Sequence, residues 1–332
     1  MAQMYFDDDA NLQVIADKTI CIIGYGNQGR SQALNMRDNG LQVIVGSQRD
    51  KSFTQAKEDN FEVFSPSEAV EKSDIIFVLV PDEVMPDVYK EQIAPGIKSG
   101  DVLVFASGYN IAYSFIEAPD DVDIVMIAPR MIGQGVRDTF LSGESFPSLI
   151  AVEQDGSGEA LARTLALSKG IGSTKMGVIM SSFMEETIVD LFAEQVGGLY
   201  AVRRYCEVLV EAGCSPEVAM LEFYASGEII ETSRAYRDIG LWDQLPLHSR
   251  TSQYGQEVTS RVSSEEDAEI RKGLHKKIAD IRDGTFAKDW MLEQQAGFPV
   301  FKRVRKENMN HPMRLAERML YKILGRIKSD EE

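Results

Sequence analysis

The sequence predicts an α/β protein, with a doubly wound parallel sheet in its first part and an all-helical second part. Three observations predict it. Short apolar runs alternate with helical stretches through the first half; a glycine-punctuated turn joins the first such run to its helix; and strand-like runs largely vanish after about residue 180.

Residues 19–23, Thr-Ile-Cys-Ile-Ile, are apolar and rich in β-branched side chains, and they stop at Gly24. That pattern reads as a buried parallel strand. A helix is expected over 29–39, closed by Asn39 and Gly40. The rhythm repeats, with strands at 41–45, 62–64, 74–80, 102–106, 123–128 and 148–152 and a further helix over 67–71. Beyond them, long helical segments are expected at 182–212, 216–236, 264–283 and 312–327, with an irregular connection over 237–262. The expected domains are 1–181 and 182–327, followed by a tail at 328–332.

Composition narrows the function classes. The 332 residues suffice for two domains with separate cores, and 44% apolar with 26% charged residues is ordinary for a folded soluble protein. A formal net charge of −17 argues against a nucleic-acid partner, which needs clustered Lys and Arg. Cys21, Cys206 and Cys214 show no metal-type spacing, and His248, His275 and His311 lie far apart, so a zinc site on His and Cys is not expected. The N-terminus lacks the basic start and apolar core of a signal peptide, and no apolar stretch approaches a membrane span. These features lead to the expectation of a cytoplasmic protein with buried, reduced thiols.

Gly24, Gly26 and Gly29 follow a strand and open a helix, the context in which a glycine triplet binds a dinucleotide. The first glycine permits the tight turn, the second admits the pyrophosphate and the third lets helix and strand pack closely. The intervening Tyr25, Asn27 and Gln28 complete the turn. The module is therefore read as a Rossmann domain for a nicotinamide dinucleotide. Asp50 stands where an acid would bind the ribose of NAD, whereas Arg49, Lys51 and Ser52 would suit the 2′-phosphate of NADP. The sequence leaves NADP or NAD open.

Asp190 and Glu194 are spaced i, i+4 on an expected helix, so both carboxylates share a face. Oxygen ligands without His or Cys suit Mg²⁺, although spacing alone equally describes a solvated acidic face. Beyond that spacing, the chain resembles the ketol-acid reductoisomerase (acetohydroxyacid isomeroreductase) family, in its short class I form. The resemblance runs essentially end to end. Its carriers include Gly24-Tyr-Gly-Asn-Gln-Gly29, Val80-Pro-Asp-Glu83, Gly108-Tyr-Asn-Ile111, Glu185-Glu-Thr187, Asp190-Leu-Phe-Ala-Glu-Gln195 and Gly284-Thr-Phe-Ala-Lys-Asp-Trp290. It implies a Rossmann domain and a knotted helical domain, assembled as a homodimer or larger homo-oligomer with active sites shared between subunits. It implies two Mg²⁺ ions, with Asp190 and Glu194 as ligands from one subunit and Glu222 from the other. Pro81 and Asp82 fall in its cofactor-binding motif, and Ser249 and Thr251, near Tyr254 and Gly255, in its substrate-contacting stretch. The implied reaction is a metal-promoted alkyl shift on a small 2-hydroxy-2-keto acid, followed by hydride delivery from NADPH.

Three positions depart from the family pattern. Ser107 replaces a histidine, Arg130 replaces a lysine, and Ser226 stands four residues beyond Glu222 where a second acid is expected. Glu228, two residues further, would lie about 200° round a continuous helix and so would not substitute. The helix after Glu194 is about one turn short. Arginine stays protonated and serine has no useful pKa near neutrality, so proton transfer at these positions is altered. The glycine turn, Asp190, Glu194 and Glu222 are intact, which points to a remodelled paralogue of specialised metabolism rather than decay. Cyclopropanol ring closure on a hydroxy acid with a sulfonium leaving group, with transient oxidation by the cofactor, is one reaction of that type. An active ketol-acid reductoisomerase of branched-chain amino-acid biosynthesis and a non-catalytic dinucleotide-binding protein are the alternatives. His248, beside Ser249, is read as an ordinary loop residue.

Overall fold

The structure, a computed structural model, describes residues 2–261 and 264–327. The anticipated tail at 328–332 and the end of the 237–262 connection lie outside the described residues. The chain divides into two compact units, Met1–Asp190 and Leu191–Glu332.

The first unit is built on a nine-stranded sheet. Its strands are β1 (Met4–Tyr5), β2 (Thr19–Ile23), β3 (Gln42–Gly46), β4 (Val63–Phe64), β5 (Ile75–Val78), β6 (Val102–Phe105), β7 (Asp123–Pro129), β8 (Ser148–Gln154) and β9 (Val178–Met180). They lie in the order β1-β9-β8-β7-β6-β5-β2-β3-β4. From β4 to β7 every pairing is parallel, and β8 then joins β7 antiparallel. The parallel part, β4-β3-β2-β5-β6-β7, has the strand order of a dinucleotide-binding Rossmann sheet. Its switch point falls between β2 and β5, where the chain leaves β2 at Gly24.

Alternation along the strands makes two cores. Ile20, Ile22, Phe77 and Val104 face one side, packed beneath Ala33 and Met36 of the helix Asn27–Asp38 and Leu165 and Leu167 of the helix Ala160–Ile171. Cys21, Ile23, Val78 and Phe105 face the other, with Ala69, Val70 and Tyr89. Strands buried on both faces read as unbroken apolar runs, which is why the sequence reveals them. β1 and β9, only two and three residues long, are too short to show such a run clearly. The helices Lys51–Glu58, Gly133–Ser142 and Ala160–Ile171 also escape the sequence reading, being short or rich in small and polar residues.

The second unit is helical. The stretch 182–212 is two helices, Phe183–Val196 and Gly198–Glu211, broken at the glycine pair Gly197 and Gly198. Residues 216–236 are likewise not one helix. Pro216–Met220 runs into a π-helical turn, Leu221–Ala225, and Gly227 at φ +94° separates it from Glu228–Ile239. The 237–262 connection contains a helix, Arg250–Ser260, and two further helices, Thr285–Gln295 and Pro299–Met309, follow Ser264–Arg282. The last helix is Pro312–Ile323. Among the described residues the buried core of this unit is small: one cluster of Cys206, Ala219, Met220, Ala225 and Leu320, with Ile281 and Ala287 buried apart from it. Large apolar side chains are correspondingly exposed, among them Leu199, Val208, Tyr254, Met319, Ile323 and Trp242, the last 78% accessible. Cys214, expected to be buried, is exposed, whereas Cys21 and Cys206 are buried. No described helix is long and apolar enough to cross a membrane.

Candidate active site

Apart from Asp190, the candidate residues of the first unit sit on the loops and helix starts that follow the carboxyl ends of the sheet strands: 24–29 after β2, 47–52 after β3, 81–82 after β5, 107–108 after β6 and Arg130 after β7. A doubly wound sheet gathers its ligand-binding loops at that edge, near the switch point.

Gly24 adopts φ +94°, and a Cβ there would lie 2.7 Å from the Leu79 carbonyl oxygen. At Gly29 a Cβ would meet the Gly24 carbonyl oxygen at 2.0 Å. Gly26 caps the helix Asn27–Asp38, and a Cβ there would meet nothing within 4 Å. Two glycines are thus demanded by the fold, while the third keeps an open approach to the helix N-terminus, whose amides and dipole suit phosphate. Beside it is a cleft of about 260 Å³ lined by Gly26, Asn27, Arg30, Lys51, Ser52 and Gln55, among others. Gln28 donates through Nε2 to the Met131 carbonyl at 3.0 Å, tying the turn to the segment after Arg130.

Two residues of this region have structural work. The buried Tyr25 donates its hydroxyl to Asp59 Oδ2 at 2.9 Å. Asp50 caps the helix Lys51–Glu58, its Oδ1 accepting from the amides of Ser52 at 2.9 Å and Phe53 at 3.1 Å. Arg49 is exposed on the same loop, and Ser52 lines the cleft.

On the neighbouring loops, Asn110 Nδ2 donates to Asp82 at both Oδ1, 3.1 Å, and the backbone oxygen, 3.2 Å. Burial, with the negative charges of Glu186 and Glu83, pushes the Asp82 carboxyl up to about 6; Pro81 beside it is exposed. A raised carboxyl pKa means that the native state holds the proton more tightly than the unfolded chain. Asp82 therefore lowers stability as pH rises through the interval from about 4 to about 6. Asp82→Asn should raise the melting temperature at about pH 8, with the gain shrinking toward pH 4; a gain independent of pH would contradict this assignment.

The strongest polar constellation joins the loops to the helix Phe183–Val196. Glu186, 1% exposed, receives the Gly108 amide on Oε2 at 2.7 Å and Arg130 Nη2 on Oε1 at 2.8 Å. Arg130 Nη1 reaches Asp190 Oδ1 at 3.1 Å, and Arg130 Nε donates to the Ala128 carbonyl at 3.3 Å. One guanidinium therefore bridges two carboxylates one helical turn apart. Burial lifts the Glu186 carboxyl above its usual range, against the opposing pull of the Gly108 amide and Arg130. Ser107 Oγ accepts from the Tyr109 amide at 3.3 Å. Glu186 is absent from the candidates drawn from sequence, although its signal was there: Glu186, Asp190 and Glu194 recur every four residues on one helix. The stripe runs from buried Glu186 through Asp190, 44% exposed, to exposed Glu194.

The remaining candidates lie in the second unit. Glu222 is exposed on the π-helical turn. Ser226 ends that turn, its Oγ accepting from the Glu228 amide at 3.3 Å, so Glu228 begins a new helix. The 200° relation between Ser226 and Glu228 on a continuous helix therefore does not apply. Ser249 caps the helix Arg250–Ser260 through the Ser252 amide, and Thr251 is exposed in its first turn. His248 Nε2 pairs with Gln244 Oε1 at 2.8 Å. Among the described residues, no three Asp, Glu, His or Cys side chains come together as a metal-binding group.

Residues 14–177 match the family described as acetohydroxy acid isomeroreductase, NADPH-binding domain, and 183–325 match ketol-acid reductoisomerase, C-terminal domain. A Saccharolobus solfataricus chain provisionally named ketol-acid reductoisomerase 3 is 46% identical over 97% of this chain and 98% of its own length. The ketol-acid reductoisomerase (NADP(+)) of Methanocaldococcus jannaschii is 42% identical over 98% of this chain and 99% of its own. A solved NADH-preferring ketol-acid reductoisomerase from an uncultured archaeon superposes with a TM-score of 0.88 at 32% identity, covering 99% of this chain and 100% of that one. With both domain profiles matched in order and relatives aligned end to end, this chain belongs to the ketol-acid reductoisomerase family.

Proposed function

We propose that this chain is an NAD(P)- and Mg²⁺-dependent enzyme acting on a small hydroxy or keto acid, with its chemistry diverted from the ordinary ketol-acid alkyl shift. The observation that carries the reading is Arg130, whose guanidinium is held by both Glu186 and Asp190. A permanently protonated, doubly paired group orients and neutralises acids but does not hand over a proton. Ser107 can donate a hydrogen bond but has no pKa that relays protons near neutrality. A substrate bearing its own leaving group, such as the sulfonium hydroxy acid of a cyclopropanol-forming reaction, needs little acid catalysis from these positions.

The cofactor's support is the glycine turn and the adjoining cleft, where Gly26 admits phosphate and the following helix supplies amide donors. When bound, the dinucleotide supplies or accepts the hydride. Mg²⁺ would be held by Asp190, Glu194 and Glu222, whose hard oxygen donors suit it, while Glu186 holds the Gly108 amide and the Arg130 guanidinium beside them. When bound, the ion polarises substrate oxygens. Glu222 would come from a second copy, and the apolar surface of the second unit supports such self-association. Ser249, Thr251 and Ser226 would face the substrate.

The decisive measurement is turnover of 2-acetolactate with NADPH and Mg²⁺. The diverted reading expects less than about a hundredth of the rate of a family enzyme, a deficit near 3 kcal/mol in the barrier. Robust turnover would instead favour an active ketol-acid reductoisomerase of branched-chain amino-acid biosynthesis, which the relatives' names support. Asp190→Asn should also remove the thermal shift produced by Mg²⁺. Dinucleotide binding without any Mg²⁺ response would leave a non-catalytic binding protein.

A further inference from the structure

Arg30 lies one turn into the helix that follows the glycine triplet, and the sequence pattern gives it no role. The structure puts it in the wall of the dinucleotide cleft, with Lys51, Ser52 and Gln55 of the next helix. Its side chain is 44% exposed, yet it is held firmly from one side. Arg30 Nε donates to Asp59 Oδ2 at 2.7 Å and Nη2 to Asp59 Oδ1 at 3.0 Å, a two-pronged pair with a carboxylate only 13% exposed. Asp59 is itself fixed, by the Tyr25 hydroxyl at 2.9 Å and Gln55 Nε2 at 3.5 Å, while Arg37 donates to the Asp59 carbonyl. Asp59 holds its charge readily, because Arg30 keeps its carboxyl below the usual range. Each Asp59 oxygen therefore already accepts two donors, and Arg30 retains unspent N–H groups on its cleft side.

We propose that Arg30, oriented by Asp59 and Tyr25, is a specificity-determining residue that grips the 2′-phosphate of NADP together with Lys51 and Ser52. The placement argues for the 2′-phosphate over the pyrophosphate. The pyrophosphate end of the cleft is defined by Gly26 and Asn27 at the helix N-terminus, whereas Arg30 faces the residues that follow β3. A guanidinium locked on its inner edge loses little freedom on pairing with a phosphate, and two parallel N–H donors match phosphate geometry. The tie also explains why Tyr25 belongs in the turn: its hydroxyl helps to set the carboxylate that sets the arginine.

The inference rests on the nicotinamide dinucleotide assigned to this cleft, and the two can fail separately. Titration calorimetry of the full chain with NADP⁺ and with NAD⁺ tests both. The wild type is expected to bind NADP⁺ the more tightly. Arg30→Gln should weaken NADP⁺ roughly tenfold or more, the size of one lost charged hydrogen bond, and leave NAD⁺ within about twofold. It should also flatten the salt dependence of NADP⁺ binding. Retained NAD⁺ affinity would show that the variant is folded. A wild type that favours NAD⁺, an unchanged NADP⁺ affinity in Arg30→Gln, or an equal loss for both dinucleotides would overturn the role given to Arg30. A wild type that binds neither would overturn the cofactor assignment itself.

Discussion

Gly29→Ala is expected to destabilise the first unit by about 3 kcal/mol or more and to abolish dinucleotide binding. The added methyl would sit 2.0 Å from the Gly24 carbonyl oxygen, a backbone atom that cannot rotate away. Gly24 is pinned in turn by φ +94° and by its amide hydrogen bond to Gly46 at 3.1 Å. Relief requires separating the helix Asn27–Asp38 from β2, which opens the core around Ile22 and Ala33. Gly26→Ala supplies the contrast, because its methyl meets nothing within 4 Å. It should leave stability within about 1 kcal/mol, near the ordinary cost of a surface change, while weakening the dinucleotide by crowding the pyrophosphate. Urea unfolding with NADP⁺ titration separates the cases; equal stabilities for the two variants would refute the distinction.

Glu186→Gln should be nearly as damaging, at about 3–5 kcal/mol for breaking a buried pair from one side. A carboxylate satisfies the Gly108 amide and the Arg130 guanidinium with separate oxygens. An amide offers one oxygen and one NH₂, so whichever way it turns, a donor faces a donor. The released Arg130 also loses its hold beside Asp190, so the change reaches the candidate reaction centre without touching it directly. A cycle with Arg130→Met can measure the coupling: the double variant should be more stable than the sum of the two single losses predicts. Strict additivity would mean that the pair does not act as a unit.

The division between what sequence reveals and what it hides follows from where the physical constraint lies. Strands β2, β5 and β6 are legible because burial on both faces demands uninterrupted apolar residues. The glycine turn is legible because no other residue fits Gly24 and Gly29. Helix breaks at Gly197 and Gly227 are less so, since a glycine within a periodic pattern does not by itself end a helix. Glu186 was hidden for another reason. Its four-residue spacing from Asp190 is visible, but its importance comes from Arg130, fifty-six residues earlier, and a contact of that separation leaves no mark on the local pattern. Asp59 and Arg30 escaped likewise, being joined only when β2, β3 and their helices come together.

The cap at Asp50 sets a rule for anyone who would refit this chain to the other dinucleotide. Negative charge is already present in the right stretch of sequence, but it is committed to the Ser52 and Phe53 amides. Redirecting it would fray the first turn of Lys51–Glu58 at about 1 kcal/mol, and that turn carries Ser52. An acid aimed at a ribose must be grafted upstream, at the exposed Gln48, leaving the existing aspartate in its post.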